Sequence, residues 1–215
     1  MKSNRELQKD VQDSFRWEPL LKGAEIGVIV QDGLITLSGM VKSYLEKSLV
    51  ESVTKSVFGV KAIIEHILVN LGNHDEISDV DIAKYVLDAL KLNWVPYDRL
   101  QVKVEDGHVT IDGEVEYNFQ KEAATKSVSS VNGVKVFTNN ITLVAETKNE
   151  LEKKIVEHAL LRYSSTVDQN IRVSVEDDTI TLNGTVQSFY QKEEAEKIAW
   201  NAPGVLMVTN ELVIE

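Results

Sequence analysis

Four histidines, no cysteine and an excess of carboxylates over basic groups (34 against 23) set the chemistry open to this 215-residue chain. His66, His74, His108 and His158 form no H-E-x-x-H pair and accompany no nucleophile elbow, so they read as surface residues rather than ligands or bases. Without cysteine there is no disulfide, thiolate nucleophile or Cys-type zinc site. The run HDEISDVD, residues 74–81, gathers acids but lacks the alternate ligands and central glycine of a calcium loop. It reads as a charged linker leading into the first turn of a helix, where carboxylates suit the macrodipole. No G-x-G-x-x-G or Walker lysine precedes a helix. The expectation is a non-enzymatic protein with no catalytic residue, metal site or cofactor.

Aromatic side chains are the remaining candidates for contact chemistry. Tyr44, Phe119, Phe189 and Tyr190 recur just after strand-like segments, and Trp17, Trp94 and Trp200 stand near the ends of helix-like ones. Exposed, they would insert into a lipid interface or grip a partner; turned inward, they would staple a core. Trp200 follows the Ile198–Ala199 pair and is expected to be partly exposed, at a contact between modules.

The elements that must place these residues come in triplicate. Aligning Gly39, Gly113 and Gly184 also aligns Gly59, Gly133 and Gly204 without a gap, 20 residues on each time, with copies 74 and then 71 residues apart. Each copy opens on a helix start signal, Ser3-x-x-Glu6, Ser78-x-x-Asp81 or Thr147-x-x-Glu150. Apolar rows follow at helical spacing: Leu7, Val11, Phe15; Ile82, Val86, Leu90; Leu151, Ile155, Ala159. Strict alternation then predicts two strands joined at QDGL, EDGH and EDDT, where Asp-Gly suits a type I′ turn and Asp178 replaces the glycine in the third copy. The first glycine of each pair lies in register with buried strand positions, which predicts that a helix crosses closely over it. A second helix, ending at the later glycine as its C′ residue, and a last strand complete an α-β-β-α-β module. The predicted fold is α+β: three tandem domains at 1–72, 76–145 and 147–215, each a three-stranded mixed sheet with two helices on one face.

The strand glycines within [VI]-T-[LI]-x-G-x-V, the Gly-Val pairs at 59, 133 and 204, and V-x-N-x-[IL] around Asn139 and Asn210 resemble the BON domain. Copy one departs at Glu65, where the others have asparagine. The resemblance implies a bacterial module of osmotic or envelope stress that binds phospholipid or supports membrane integrity; some cytosolic relatives bind potassium. It thus implies a phospholipid surface or a protein as partner, with an ion-responsive or scaffold role as the alternative.

Charge narrows the choice. Net charge is −11 and no stretch concentrates Lys and Arg, which argues against nucleic acid as partner. Residues 1–72 hold nine basic and nine acidic residues, 73–146 hold seven and 13, and 147–215 hold seven and 12. The net charge of the chain disfavours unaided docking onto an anionic membrane, and if any copy approaches such a surface it is the neutral first one. No apolar run reaches membrane-spanning length, and the N-terminus lacks an apolar signal core. The sequence as written thus predicts a cytosolic protein, and a periplasmic one if a leader has been removed.

Overall fold

The computed structural model describes residues 2–72, 77–93, 95–144, 171–202 and 204–214. Module 1 consists of α1 (Asn4–Trp17), β1 (Glu25–Gln31), β2 (Leu34–Val41), α2 (Tyr44–Ser56) and β3 (Ala62–Val69). Module 2 repeats the order with α3 (Asp79–Leu92), β4 (Leu100–Glu105), β5 (His108–Val115), α4 (Asn118–Ser129) and β6 (Val136–Leu143). Module 3 shows β7 (Arg172–Glu176), β8 (Thr179–Val186), α5 (Phe189–Trp200) and β9 (Met207–Ile214). The helix predicted from Thr147-x-x-Glu150 lies outside the described residues, as does Trp94. Each sheet is mixed, with its hairpin antiparallel and its central strand parallel to the last one. The parallel pairing follows from the crossover, since a helix must carry the chain back to the starting end.

Local chemistry accounts for the element ends. Ser3 Oγ accepts from the Glu6 N–H while the Glu6 carboxylate accepts from the Ser3 N–H at 2.8 Å, a full capping box at the start of α1. Those bonds to Ser3, backbone first, hold the Glu6 carboxyl below its ordinary pKa. At α3 the Ser78 hydroxyl accepts from the Asp81 N–H and donates to its carboxylate, and the shorter side chain does not reach back to the Ser78 backbone. The buried rows are Leu7 and Val11 on α1, Ile82, Val86 and Leu90 on α3, and Ile35, Leu37 and Val41 with their counterparts on the central strands. Burying side chains of this size contributes about 1.5–3 kcal/mol each before entropy is counted.

The glycines take roles different from those expected. Gly39 and Gly113 have φ of 144° and 140°, and an added Cβ would strike the carbonyl oxygen of Glu25 or Arg99 on the neighbouring strand's approach, not a helix. The close helix crossing occurs at the other glycine: a Cβ on Gly133 would lie 2.8 Å from Ile82 Cγ1 of α3. Nor is that second glycine the C′ residue. α2 is capped at Val57 and α4 at Ser130, so Gly59 and Gly133 lie in the turn beyond. In the third hairpin only Asp177 has positive φ; Asp178 does not take the glycine-like conformation.

Candidate functional site

The predicted contact aromatics fall into three groups. Counting from the strand glycines, Tyr44 and Phe189 occupy the same position, the first residue of the second helix, where module 2 has Asn118. Phe119 and Tyr190 match each other one position later, equivalent to Leu45. One residue turns the side chain by about 100° around the helix, and the surroundings differ accordingly.

Tyr44 and Phe189 join modules. Tyr44 packs on the core of module 2, its ring edge-on to Phe137 at 6.4 Å, and Phe189 packs on the core of module 1. Tyr44 does not take part in the core of its own module. Ser43 and Ser188 each accept from a backbone N–H three residues on, which starts both helices at the aromatic. Burial holds the Tyr44 phenol above its ordinary pKa, with Glu51 and Glu65 adding to the effect. Beside Phe189, Glu193 pairs with Lys55 at 2.9 Å, and Lys55 also pairs with Glu51 at 3.0 Å. Burial alone would lower the Lys55 pKa, but its bonds to Glu193 and Glu51 leave it raised.

The corresponding link from module 2 to module 3 lacks the aromatic. Asn118 donates to Glu122 on its own helix at 3.2 Å. Glu122 adds attraction at Lys197 of α5, whose pKa is raised first by its bond to Glu194. Trp200, half-buried, packs on the core of module 3 itself.

The exposed group contains Trp17, Phe119 and Tyr190 at 84%, 62% and 46%. Phe119 stacks on Tyr117 at 5.6 Å. Trp17 ends α1 and is followed by a 3-10 turn, Pro19–Leu21, whose Leu20 is 57% exposed while Leu21 enters the core. The acids around this tip are engaged: Asp13 pairs with Arg16 at 2.9 Å, and the Glu18 carboxylate accepts from the Leu20 N–H. Lys22, just beyond, is exposed.

Polar positions repeat as well. Asn139 and Asn210 accept from the backbone N–H two residues on, at Ile141 and Leu212. Glu65, which replaces them in module 1, pairs instead with Lys47 at 2.9 Å. Lys47 and its counterpart Lys192 both donate to a carbonyl of the last strand, Ile67 or Leu212. Among the described residues no three His, Cys, Asp or Glu side chains cluster as metal ligands, and no helix is long and apolar enough to cross a membrane. A shallow open groove of about 420 Å³ in module 2, lined by Arg99, Gly113, Glu114, Val115 and Val144, gathers an ion pair between Arg99 and the adjacent Glu116 rather than convergent reactive groups.

Residues 3–70, 78–145 and 147–215 each match the family model of the BON domain. This chain belongs to the BON domain family. It is similar to the osmotically-inducible protein Y of Escherichia coli (strain K12), at 28% identity over 164 residues and 70% of each chain. Among solved structures it matches the C-terminal domain of CdsD, the structural protein of the type III secretion system of Chlamydia trachomatis, at 14% identity over 100% of both chains with a TM-score of 0.25. A second CdsD structure matches at 15% identity over 98% of this chain and 92% of that one, with a TM-score of 0.27.

Four further exposed apolar residues were not expected from the sequence. On the solvent side of the first BON sheet, Ile29, Met40, Ile64 and Leu68 are 66%, 58%, 40% and 67% exposed. Their signal was apolar character at both phases of the alternation, plain in EIGVIVQ and AIIEHILV, where a half-buried strand should be apolar at one.

Proposed function

We propose that this chain is a non-catalytic, stress-associated binding protein that engages a phospholipid surface through module 1, with Trp17 and Leu20 leading. The observation that carries the reading is the tip of α1. A tryptophan 84% exposed at the end of α1 and a leucine 57% exposed three residues on, in a capped turn, belong to the copy whose nine basic residues balance nine acidic ones. Tryptophan suits the boundary between headgroups and acyl chains because its ring is apolar and its N–H is a donor. Beside the tip Asp13 pairs with Arg16, and the Glu18 carboxylate accepts from the Leu20 N–H. Kinship with an osmotically inducible protein supports the stress association.

Vesicle flotation at low salt tests the proposal. The full chain floats with phosphatidylcholine vesicles containing a fraction of phosphatidylglycerol, and Trp17→Ala with Leu20→Ala reduces the bound fraction about tenfold or more, the loss of two interfacial apolar side chains. Absence of binding to zwitterionic and anionic vesicles alike contradicts it.

A further inference from the structure

The outer face of the first BON sheet is a second surface, remote in chemistry from the Trp17 tip. Strand pairing lays it out in rows across β1, β2 and β3: Gln31–Leu34–Ala62, Ile29–Thr36–Ile64, Gly27–Ser38–His66 and Glu25–Met40–Leu68. The four large exposed side chains therefore form two apolar rows, Ile29 with Ile64 and Met40 with Leu68, flanking a row that is low at Gly27 and Ser38. At the positions of Ile29, Met40, Ile64 and Leu68, module 2 has Lys103, Glu114, Thr138 and Thr142, and module 3 has Ser174, Thr185, Thr209 and Val213. The face is thus a property of module 1 and not of the fold. A contiguous apolar patch of this kind marks a contact surface, whereas scattered apolar residues do not.

We infer that this face is a homotypic docking surface, closed by the same face of a second copy of the chain. Charge selects the occupant. Across the four rows there is no lysine or arginine; the row of Gly27 and Ser38 ends in the His66 imidazole and the sole carboxylate, Glu25, lies at one corner, so the face offers no fixed positive charge to a phosphate headgroup or an acidic partner. A surface this low in charge is complementary to itself. The chain carries −11, and its acid excess resides in residues 73–215, so pairing through module 1 is the contact between copies that least opposes like charge with like. Shape agrees, because in a two-fold arrangement the Met40–Leu68 ridge of one copy can lie over the trough at Gly27 and Ser38 of the other. A three-stranded face this short offers roughly 400 Å² per copy from strand spacing and rise. That is below the standard interface, so the dimer forms in proportion to concentration rather than as an obligate unit.

Sedimentation equilibrium of the full chain over two decades of concentration, without lipid, tests this. A monomer–dimer equilibrium is expected, and the double variant Met40→Glu with Leu68→Thr, which carries module 2's kind of residue at each site, should weaken it tenfold or more while leaving the circular dichroism spectrum unchanged. Because the chain has no cysteine, Ser38→Cys supplies a unique thiol at the middle of the face. A short bis-maleimide should link Ser38→Cys copies into dimers and leave Asp112→Cys, at the equivalent site of module 2, monomeric. A monomer at every concentration overturns the inference. So does a dimer that survives the double variant with Ser38→Cys uncrosslinked. Loss of vesicle flotation in the double variant, with no dimer found in the parent, would assign the face to lipid instead; loss of flotation in the Trp17 and Leu20 variants alone leaves the dimer inference standing.

Discussion

Modules 1 and 2 are built on the same buried frame and turn opposite surfaces outward. Val109, Ile111 and Val115 of module 2 repeat Ile35, Leu37 and Val41 of module 1, all at 2% exposure or less. On the solvent side the sheets diverge. In module 2 Asn140 donates to Asp112 at 2.9 Å, His108 bonds Thr138 at 2.8 Å and Lys103 pairs with Glu105 at 2.9 Å, a polar lattice over the face. In module 1 the same region presents Ile29, Met40, Ile64 and Leu68 to water. The fold is set by inward positions and the contacts by outward ones, so tandem copies can keep one architecture while only one of them acquires a binding surface.

The largest effects should be those that ignore the difference. Gly39→Val and Gly113→Val each place a side chain against a neighbouring backbone carbonyl at φ near +140°. Each should cost about 3 kcal/mol or more, combining the backbone and overpacking penalties. Calorimetry should find similar losses in the two modules; a tolerated substitution in either would break the shared frame. Next come the joints. Tyr44→Ala removes a ring seated on the core of module 2 and should cost about 2–3 kcal/mol. Phe119→Ala, at a site 62% exposed, should stay within about 0.5 kcal/mol. Urea denaturation separates these outcomes, and equal costs would mean that Tyr44 does not join modules.

Alkaline titration gives a smaller effect of fixed sign. The folded-state pKa values of Tyr44 and Lys55 are raised above 10.0 and 10.5. A group raised on folding stabilises fully below its unfolded pKa and ceases to do so as pH rises through the folded one. The joints on both sides of module 1 should therefore loosen only above about pH 10, seen as a drop in Tm larger in the parent than in Tyr44→Phe. An equal drop in both would remove Tyr44 from the effect. Smallest of all, Met40→Thr and Leu68→Thr should leave Tm within about 2 °C, since exposed substitutions rarely exceed 0.5 kcal/mol. A large loss would show that the outer face is part of a core.

Much of the architecture was legible in the residues because it rests on local rules. Gly39 and its two equivalents, the Asp-Gly turns and the apolar periods each specify an element within a few residues, and threefold recurrence corroborates them. The reasons behind them were less legible. That Gly39 yields to a carbonyl and Gly133 to Ile82 depends on distances between elements, which periodicity does not encode. The destinations of Tyr44 and Phe189 were hidden for the same cause: a core and a neighbour's core both want an aromatic, and which is reached depends on how the modules pack. The outer face was present in AIIEHILV, but a strand apolar at both phases looks buried until its neighbours are known.

The central claim, that module 1 brings the chain to lipid through the tip of α1, is tested most directly at Trp17. With Trp94→Phe and Trp200→Phe, Trp17 is the sole tryptophan of the full chain. Mixed with phosphatidylcholine–phosphatidylglycerol vesicles, its emission should shift to the blue and be quenched by lipids brominated near the headgroup end of the acyl chain. Protein that floats with the vesicles while Trp17 emission stays at its aqueous position and escapes quenching would contradict the account.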